Sequence, residues 1–336
     1  MAIGLAGGLA AYFAGIPLPW MLGPMIANTV AALLRAPIAG PDRLRGYVIP
    51  VIGVMLGAGV TAEVLGMLGL WVITLMLMPV FLAIAAFVSF NVYRRLGGYD
   101  PVTAFYASMP GGLNEMLILG AEAGGDERRI ALAHAARVLL IIIFVALYFG
   151  FFLGVTTAGQ SGTQWVGVTE ITALDYAILI LCAVLGVVLG KALRLPAAPV
   201  FGPMILSGIA HFAAWVTVPP PTLFVIGAQI TIGTIIGTRF IGATLAEVRR
   251  DIGLSAIASV LMLLAAVVFA ELIVMISAIP LAQAFLAFSP GGLTEMSLLT
   301  LALGQDVAYV SVMHIIRITL VIAIAPFVFQ LFRRRF

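Results

Sequence analysis

The stretch Pro110-Gly111-Gly112-Leu113-Asn114-Glu115-Met116 returns as Pro290-Gly291-Gly292-Leu293-Thr294-Glu295-Met296, 180 positions later. At the same displacement Asp126 meets Asp306, His134 meets His314 and Arg137 meets Arg317. Ionisable groups repeating in register in a chain that has few of them point to a duplicated fold whose halves build polar structure together. A second echo aligns Pro17–Met25 with Pro196–Met204, displaced by 179, through Gly23-Pro24-Met25 and Gly202-Pro203-Met204. Gly53 and Gly59 also match Gly227 and Gly233, displaced by 174.

What surrounds these motifs is hydrocarbon. Apolar residues make up 63% of the chain, charged residues 9%, and mean hydropathy is +1.19. A soluble protein of this size could not cover so much apolar surface. Apolar runs of roughly 17–25 residues recur from end to end, the length a helix needs to cross a bilayer. The expected fold is therefore an all-α polytopic membrane protein. The net charge of +3 does not call for a nucleic-acid partner, because the basic residues sit in short clusters between apolar runs. The single cysteine, Cys182, excludes an internal disulfide and a cysteine metal cluster. No basic leader with a cleavage site precedes Ile3–Gly15, so that segment reads as a first membrane helix rather than a signal peptide.

Candidate helices in the first half are Ala2–Gly15, Leu18–Leu34, Tyr47–Met67, Leu70–Tyr93, the motif segment Pro101–Gly124 and Arg128–Leu153. The second half offers Ala173–Gly190, Ala198–Val216, Leu223–Glu247, Ile252–Ser277, the motif segment Leu281–Leu303 and Val307–Phe332. Basic groups fall at Arg35/Arg43/Arg45, Arg94/Arg95, Arg128/Arg129, Lys191/Arg194, Arg249/Arg250 and Arg333–Arg335. If both motif segments crossed the membrane, Arg94/Arg95 and Arg128/Arg129 would lie on opposite sides. If each enters and returns on one side, every cluster becomes cytoplasmic, as positive charge in short loops prefers. The pattern thus predicts two inverted repeats, each of about five transmembrane helices plus one re-entrant helical hairpin. Residues 1–155 form the first, 156–172 an external linker, and 173–336 the second. The chain is then expected to be multi-pass, with both termini cytoplasmic. Pro110-Gly111-Gly112 and Pro290-Gly291-Gly292 suit hairpin tips, since proline ends one arm and glycine tolerates the reversal.

Glu115 and Glu295 open the second arm of each hairpin, either as helix-capping carboxylates or as proton or cation sites. Asn114 and Thr294 precede them, with Ser108 and Ser289 ahead of the tips. These groups could ligate a small ion or simply close the break by local hydrogen bonds. His134 and Arg137 share one helix face, as do His314 and Arg317. Arginine could hold an anionic solute and histidine could exchange protons, although Arg137 could instead bridge Glu115 as a structural pair. Asp126 and Asp306 read as N-caps of the next helix. Arg239 is an unmatched charge within a predicted helix, and His211 reads as structural.

The two Pro-Gly-Gly-Leu-[Asn/Thr]-Glu-Met segments and the Gly-Pro-Met echo resemble the duplicated AbrB-type family of bacterial inner-membrane proteins, over nearly the whole chain. That family is distinct from the soluble DNA-binding regulators sharing its name. Its members carry labels such as ammonia monooxygenase or regulator. The resemblance implies fold and membrane location more than substrate. The residues oppose the oxygenase label: three histidines, two of them repeat mates on different helices, supply no converging metal ligands. No Walker loop, dinucleotide fingerprint or nucleophile motif is present.

The expectation is a secondary transporter, not an enzyme, with no cofactor and no metal. It would move a small anionic solute by alternating access at a midplane site between the hairpins, one bundle moving against the remaining helices. Alternatives are an ammonium or small-cation channel and a membrane sensor or regulatory protein. The partners expected are the solute and the lipid bilayer, with a homodimer suggested by the class alone.

Overall fold

The computed structural model describes residues 1–59, 66, 68–152, 166–195, 197–243 and 245–333. These form fourteen α-helices and no strand among the described residues. In the first half they are α1 (Ala2–Phe13), α2 (Pro19–Leu33), α3 (Asp42–Gly57), α4 (Leu68–Asn91), α5 (Pro101–Ser108), α6 (Leu113–Glu122) and α7 (Glu127–Leu147). The second half follows as α8 (Ala173–Ala192), α9 (Ala198–Phe212), α10 (Thr222–Thr238), α11 (Leu245–Ile276), α12 (Leu281–Phe288), α13 (Leu293–Ala302) and α14 (Val307–Arg333). Short π-helical turns at Val92–Leu96 and Tyr148–Phe152 extend α4 and α7.

Among the described residues, five segments are long and apolar enough to cross a membrane: Gly69–Leu96, Glu127–Gly150, Ala173–Ala192, Arg249–Ile276 and Val307–Leu331. This is a membrane-like, all-helical protein. Four apolar helices, α1, α9, α10 and α13, are shorter, at 10–17 residues. At 1.5 Å per residue the 12-residue α1 covers only about 18 Å, well short of a full span. The predicted helix Leu223–Glu247 is two elements: α10 ends at Thr238, a turn follows, and Arg239 lies in that turn rather than within a helix. Most of the expected linker, together with the end of the Tyr47–Met67 segment, falls outside the described residues.

The chain divides into two compact units, each drawing on both sequence halves. The first comprises Met1–Gly69, Phe144–Thr238 and Leu293–Ser311. Its helices meet through glycine at backbone distance. A Cβ on Gly7 or Gly23 would strike the other's backbone where α1 crosses α2, and Gly186 does the same to Gly202 where α8 crosses α9. Gly53 of α3 lies against Val200 and Pro203 of α9, whereas Gly233 of α10 lies against Met21 and Pro24 of α2. Small residues are the usual means of close approach between apolar helices, where burial in lipid gives little drive of its own.

These contacts correct one reading of the sequence. The mate of Gly53 is Gly233, not Gly227, and that of Gly57 is Gly237, both displaced by 180; each pair faces equivalent carbonyls. Gly227 has no neighbour within 4 Å at its Cβ position, so the 174-residue match was spacing without packing. The backbone repeats too. Positive φ falls at Leu18 and Ala197, at Gly15 and Arg194, and at Arg35 and Ala214, each pair 179 apart, and at Gly124 and Gly304, 180 apart. A left-handed non-glycine residue costs on the order of 1–3 kcal/mol, so its recurrence marks the same junction built twice.

The second unit comprises Leu70–Ile143, Arg239–Gly292 and Val312–Phe336. Aromatic side chains tie its long helices to the short ones. Phe81 of α4, Phe269 of α11 and Phe288 of α12 have ring centroids 5.1–5.6 Å apart. Phe329 of α14 packs on Phe105 and Tyr106 of α5 at 5.4 and 5.3 Å. Such pairs add roughly 0.5–1.5 kcal/mol each beyond area burial.

Candidate functional site

Both Pro-Gly-Gly motifs interrupt the helix. Asp100 caps α5 through the amides of Val102 (3.0 Å) and Thr103 (2.9 Å), and Pro101 occupies the position where its missing N–H costs nothing. Burial works to raise the Asp100 carboxyl pKa, but hydrogen bonds from Thr103 and Val102 outweigh it and leave the pKa lowered. Eight residues later α5 stops at Ser108, and α6 starts only at Leu113. The Thr103 hydroxyl accepts the Asp126 amide (2.8 Å), which brings the start of α5 beside the exit of α6. In the second motif α12 stops at Phe288 and α13 starts at Leu293. The Ser108 and Ser289 hydroxyls donate to Phe105 and Phe285 carbonyls of their own helices, at 2.7 Å each.

A helix that stops inside protein leaves carbonyls without partners. In the second unit the histidine–arginine pairs supply them. Along α7, His134 bonds the Tyr106 carbonyl (2.9 Å), and Arg137 Nη1 donates to Met109 (3.1 Å) and more weakly to Ala107 (3.4 Å). Along α14, His314 bonds the Leu286 carbonyl (3.0 Å), and Arg317 donates to Ser289 (2.6 Å) and Gly291. Each long helix thus grips the carboxyl end of a short one with a cation, the favourable sign for that end of the dipole. All four side chains are nearly sealed, with no more than 2% exposed.

Hydrogen-bond logic fixes the first imidazole. A carbonyl only accepts, so His134 Nε2 carries the proton; Arg137 Nη2 only donates, so His134 Nδ1, at 2.8 Å, is the lone pair. His134 is neutral and has no spare nitrogen. His314 differs, because its Nδ1 is buried without a partner. The Nε of Arg137 and of Arg317 are likewise buried and unpartnered.

No acidic side chain lies within ion-pair distance of either arginine among the described residues. The Arg137–Glu115 bridge considered from sequence is not formed; the guanidinium has gone to backbone carbonyls, which the helix break leaves open. The ion pairs found are exposed, Arg128–Glu247 (3.0 Å) and Arg129–Asp126 (3.4 Å). Both arginines belong to the second unit.

The remaining sequence candidates are distributed. Glu115 is half-buried in the first turn of α6, where its carboxylate lies over Gly112 so closely that a Cβ there would collide with it. Glu295 is half-buried and Thr294 buried in the first turn of α13, which belongs to the first unit. Asn114 lies in α6, and its side chain falls outside the described residues. Asp126 and Asp306 are N-caps, accepting the Arg129 amide (3.1 Å) and the Tyr309 amide (3.0 Å). Burial pushes the Asp306 carboxyl up, against the pull of the Tyr309 and Ala308 amides. His211 bonds the Ser207 carbonyl of its own helix (2.8 Å).

Two features escaped the sequence reading. Asp251, buried in α11, accepts the Tyr99 hydroxyl (2.9 Å), while Tyr93 pairs with Ser255 (3.2 Å) and stacks on Tyr99. Burial first, then the neighbouring Asp251 charge, push the Tyr99 phenol far above its ordinary value. Only the position of Asp251 at the edge of an apolar run hinted at this. The second feature is an apolar crevice of about 610 Å³ in the same unit, lined by Phe87, Phe105, Met109, Pro110, Leu320 and Ile324 among others. Met109 joins it to the clamp, since its carbonyl is the one held by Arg137.

The family model described as "Transition state regulatory protein AbrB" matches residues 20–333. Among curated proteins the chain is 27% identical to "Uncharacterized protein YhjN" of Bacillus subtilis (strain 168), over 97% of this chain and 90% of that protein. It is 25% identical to "Putative regulator AbrB" of Escherichia coli (strain K12), over 93% of this chain and 89% of that one. The match spans both motif repeats and both histidine–arginine clamps, and by it the chain belongs to the AbrB family.

Proposed function

We propose that this protein is a secondary transporter that moves a small anionic solute by alternating access, coupled to protons or another ion. The observation that carries the reading is the pair of buried arginines without an acidic partner among the described residues, each holding the end of a broken helix. An uncompensated buried charge costs several kcal/mol, so a protein that keeps two has a use for them. Intramembrane cations at helix breaks are where transporters bind solutes.

In this reading α5–α6 and α12–α13 are re-entrant hairpins of two inverted repeats, entering a bacterial inner membrane from opposite sides. The 8- and 10-residue arms, about 12 and 15 Å long, support it, as do the basic clusters that would all become cytoplasmic. Arg137 and Arg317 bind the solute, and Glu115 and Glu295 are the coupling groups. The protein is not an enzyme and uses no cofactor. The test is uptake into proteoliposomes under an imposed pH gradient. Gradient-driven uptake should be lost when Glu115→Gln and Glu295→Gln are combined; unchanged uptake would remove the coupling role.

One further observation favours a second reading: the Escherichia coli relative is named as a regulator. Co-purification of a soluble partner, with no flux of any anion, would put that reading first. The ammonium or cation channel is opposed by two buried positive charges, which repel the permeant ion.

A further inference from the structure

We infer that Arg137 and Arg317 together receive a doubly charged oxyanion, an inference that rests on reading this region as the solute site. The argument is one of charge and donors within the second unit. Carbonyls satisfy several N–H groups of each guanidinium, but a carbonyl is a dipole and cannot cancel a charge. Neither histidine can serve as counter-ion. The acids of the unit are engaged elsewhere or exposed: Asp100 caps α5, Asp126 faces Arg129, Glu247 faces Arg128, Asp251 holds Tyr99, and Glu115 lies over Gly112. Glu122, Glu127 and Glu271 lie on the exposed surface. Two cations, more than nine-tenths buried and with no acid within ion-pair distance among the described residues, therefore stand uncompensated. The first hairpin links them: Arg137 holds Met109, and a Cβ on Gly111 would meet Val321, one turn along α14 from Arg317. A ligand carrying two negative charges restores neutrality, whereas a monoanion leaves one charge buried.

Donor geometry agrees. The Nε of each arginine is buried without a partner. That nitrogen is one prong of the fork with which guanidinium grips an oxyanion. The unpartnered group thus occurs once per arginine, one donor for each negative charge. The chemistry is shared by dicarboxylates and divalent inorganic oxyanions.

The test compares ligands of equal size and unequal charge on the intact, detergent-purified protein at pH 7, by calorimetry or thermal shift. Succinate is set against succinamate, and sulfate against perchlorate. The dianion should bind on the order of tenfold tighter or more in at least one pair. The pair that shows it distinguishes the carboxylate from the inorganic source. Arg137→Lys and Arg317→Lys keep the charge and lose the fork, and should weaken the dianion while keeping its lead over the monoanion. Equal affinity within both pairs, or no binding of any dianion, overturns the inference, and this comparison needs no variant to fold. Failure of the transport reading looks different: dianions bind to the purified protein, yet no proteoliposome accumulates them.

Discussion

The two histidine–arginine clamps carry the same residues at the same spacing, and each histidine reaches a carbonyl 28 residues back. They differ in what the arginine does. Arg137 turns one nitrogen back onto His134 and holds Met109 with the other; Arg317 leaves His314 and spends both on Ser289 and on Gly291 at the hairpin break. The histidine-to-carbonyl bond is the fixed part of the device and the guanidinium the variable part. One sequence pattern thus supports two hydrogen-bonded arrangements within a single molecule. A site that must alternate between two states needs that property. The glycine crossings of the first unit show the opposite behaviour. Gly7 against Gly23 and Gly186 against Gly202 are alike in both halves, as expected of contacts that only hold helices together.

The largest effects should come from the arginines, and unequally. Arg317→Ala orphans two break carbonyls and should cost about 3–5 kcal/mol, while Arg137→Ala orphans one well-bonded and one weakly bonded carbonyl and leaves the neutral His134 Nδ1 without its donor, and should cost about 2–3. Denaturant or thermal unfolding in detergent reads the difference; equal losses would make the asymmetry unimportant. Gly23→Ala and Gly202→Ala each force two helix backbones apart. Each should lose about 1–3 kcal/mol, and the two losses should match within about 0.5. A clear inequality there would mean that the halves differ in their scaffold and not only in their clamps.

The histidines come next. His134→Ala removes partners from both Tyr106 and Arg137, His314→Ala only from Leu286, so losses near 2 and 1 kcal/mol are expected by the same measurement. The smallest contrast lies in the caps. Asp306 has a raised pKa, so its stabilising contribution is complete below the ordinary aspartate value of about 4 and is lost as pH rises through the folded value. Asp306→Asn keeps a capping oxygen and removes the buried charge. Relative to wild type it should gain a few tenths of a kcal/mol as pH rises from 4 to 8. Asp126→Asn gives up an exposed ion pair with Arg129 and should cost at most about 1 kcal/mol.

Much of this was legible in the chain. The duplication, the breaks at Pro110-Gly111-Gly112 and Pro290-Gly291-Gly292, and the N-caps at Asp126 and Asp306 follow from spacing and local chemistry, which act over a few residues. The pairing of His134 with Arg137 on one face was equally readable, because three residues make one turn. What those side chains touch was not. Main-chain carbonyls carry no letter in a sequence, so the partners weighed for Arg137 were a solute and an acid, Glu115. The Tyr99–Asp251 pair joins residues 152 apart, and no periodicity announces it. Glycine register failed at Gly227 for a related reason: what identifies an equivalent glycine is the carbonyl against it, and spacing alone chose the wrong mate.

The most direct measurement is an experimental density map of the protein saturated with a dianion that binds it. The account predicts ligand density within hydrogen-bond distance of Arg137 Nε and Arg317 Nε, with the carbonyl contacts of His134 and His314 kept. Density at a distant site, or a Glu115 carboxylate paired with Arg137 in place of ligand, would contradict it.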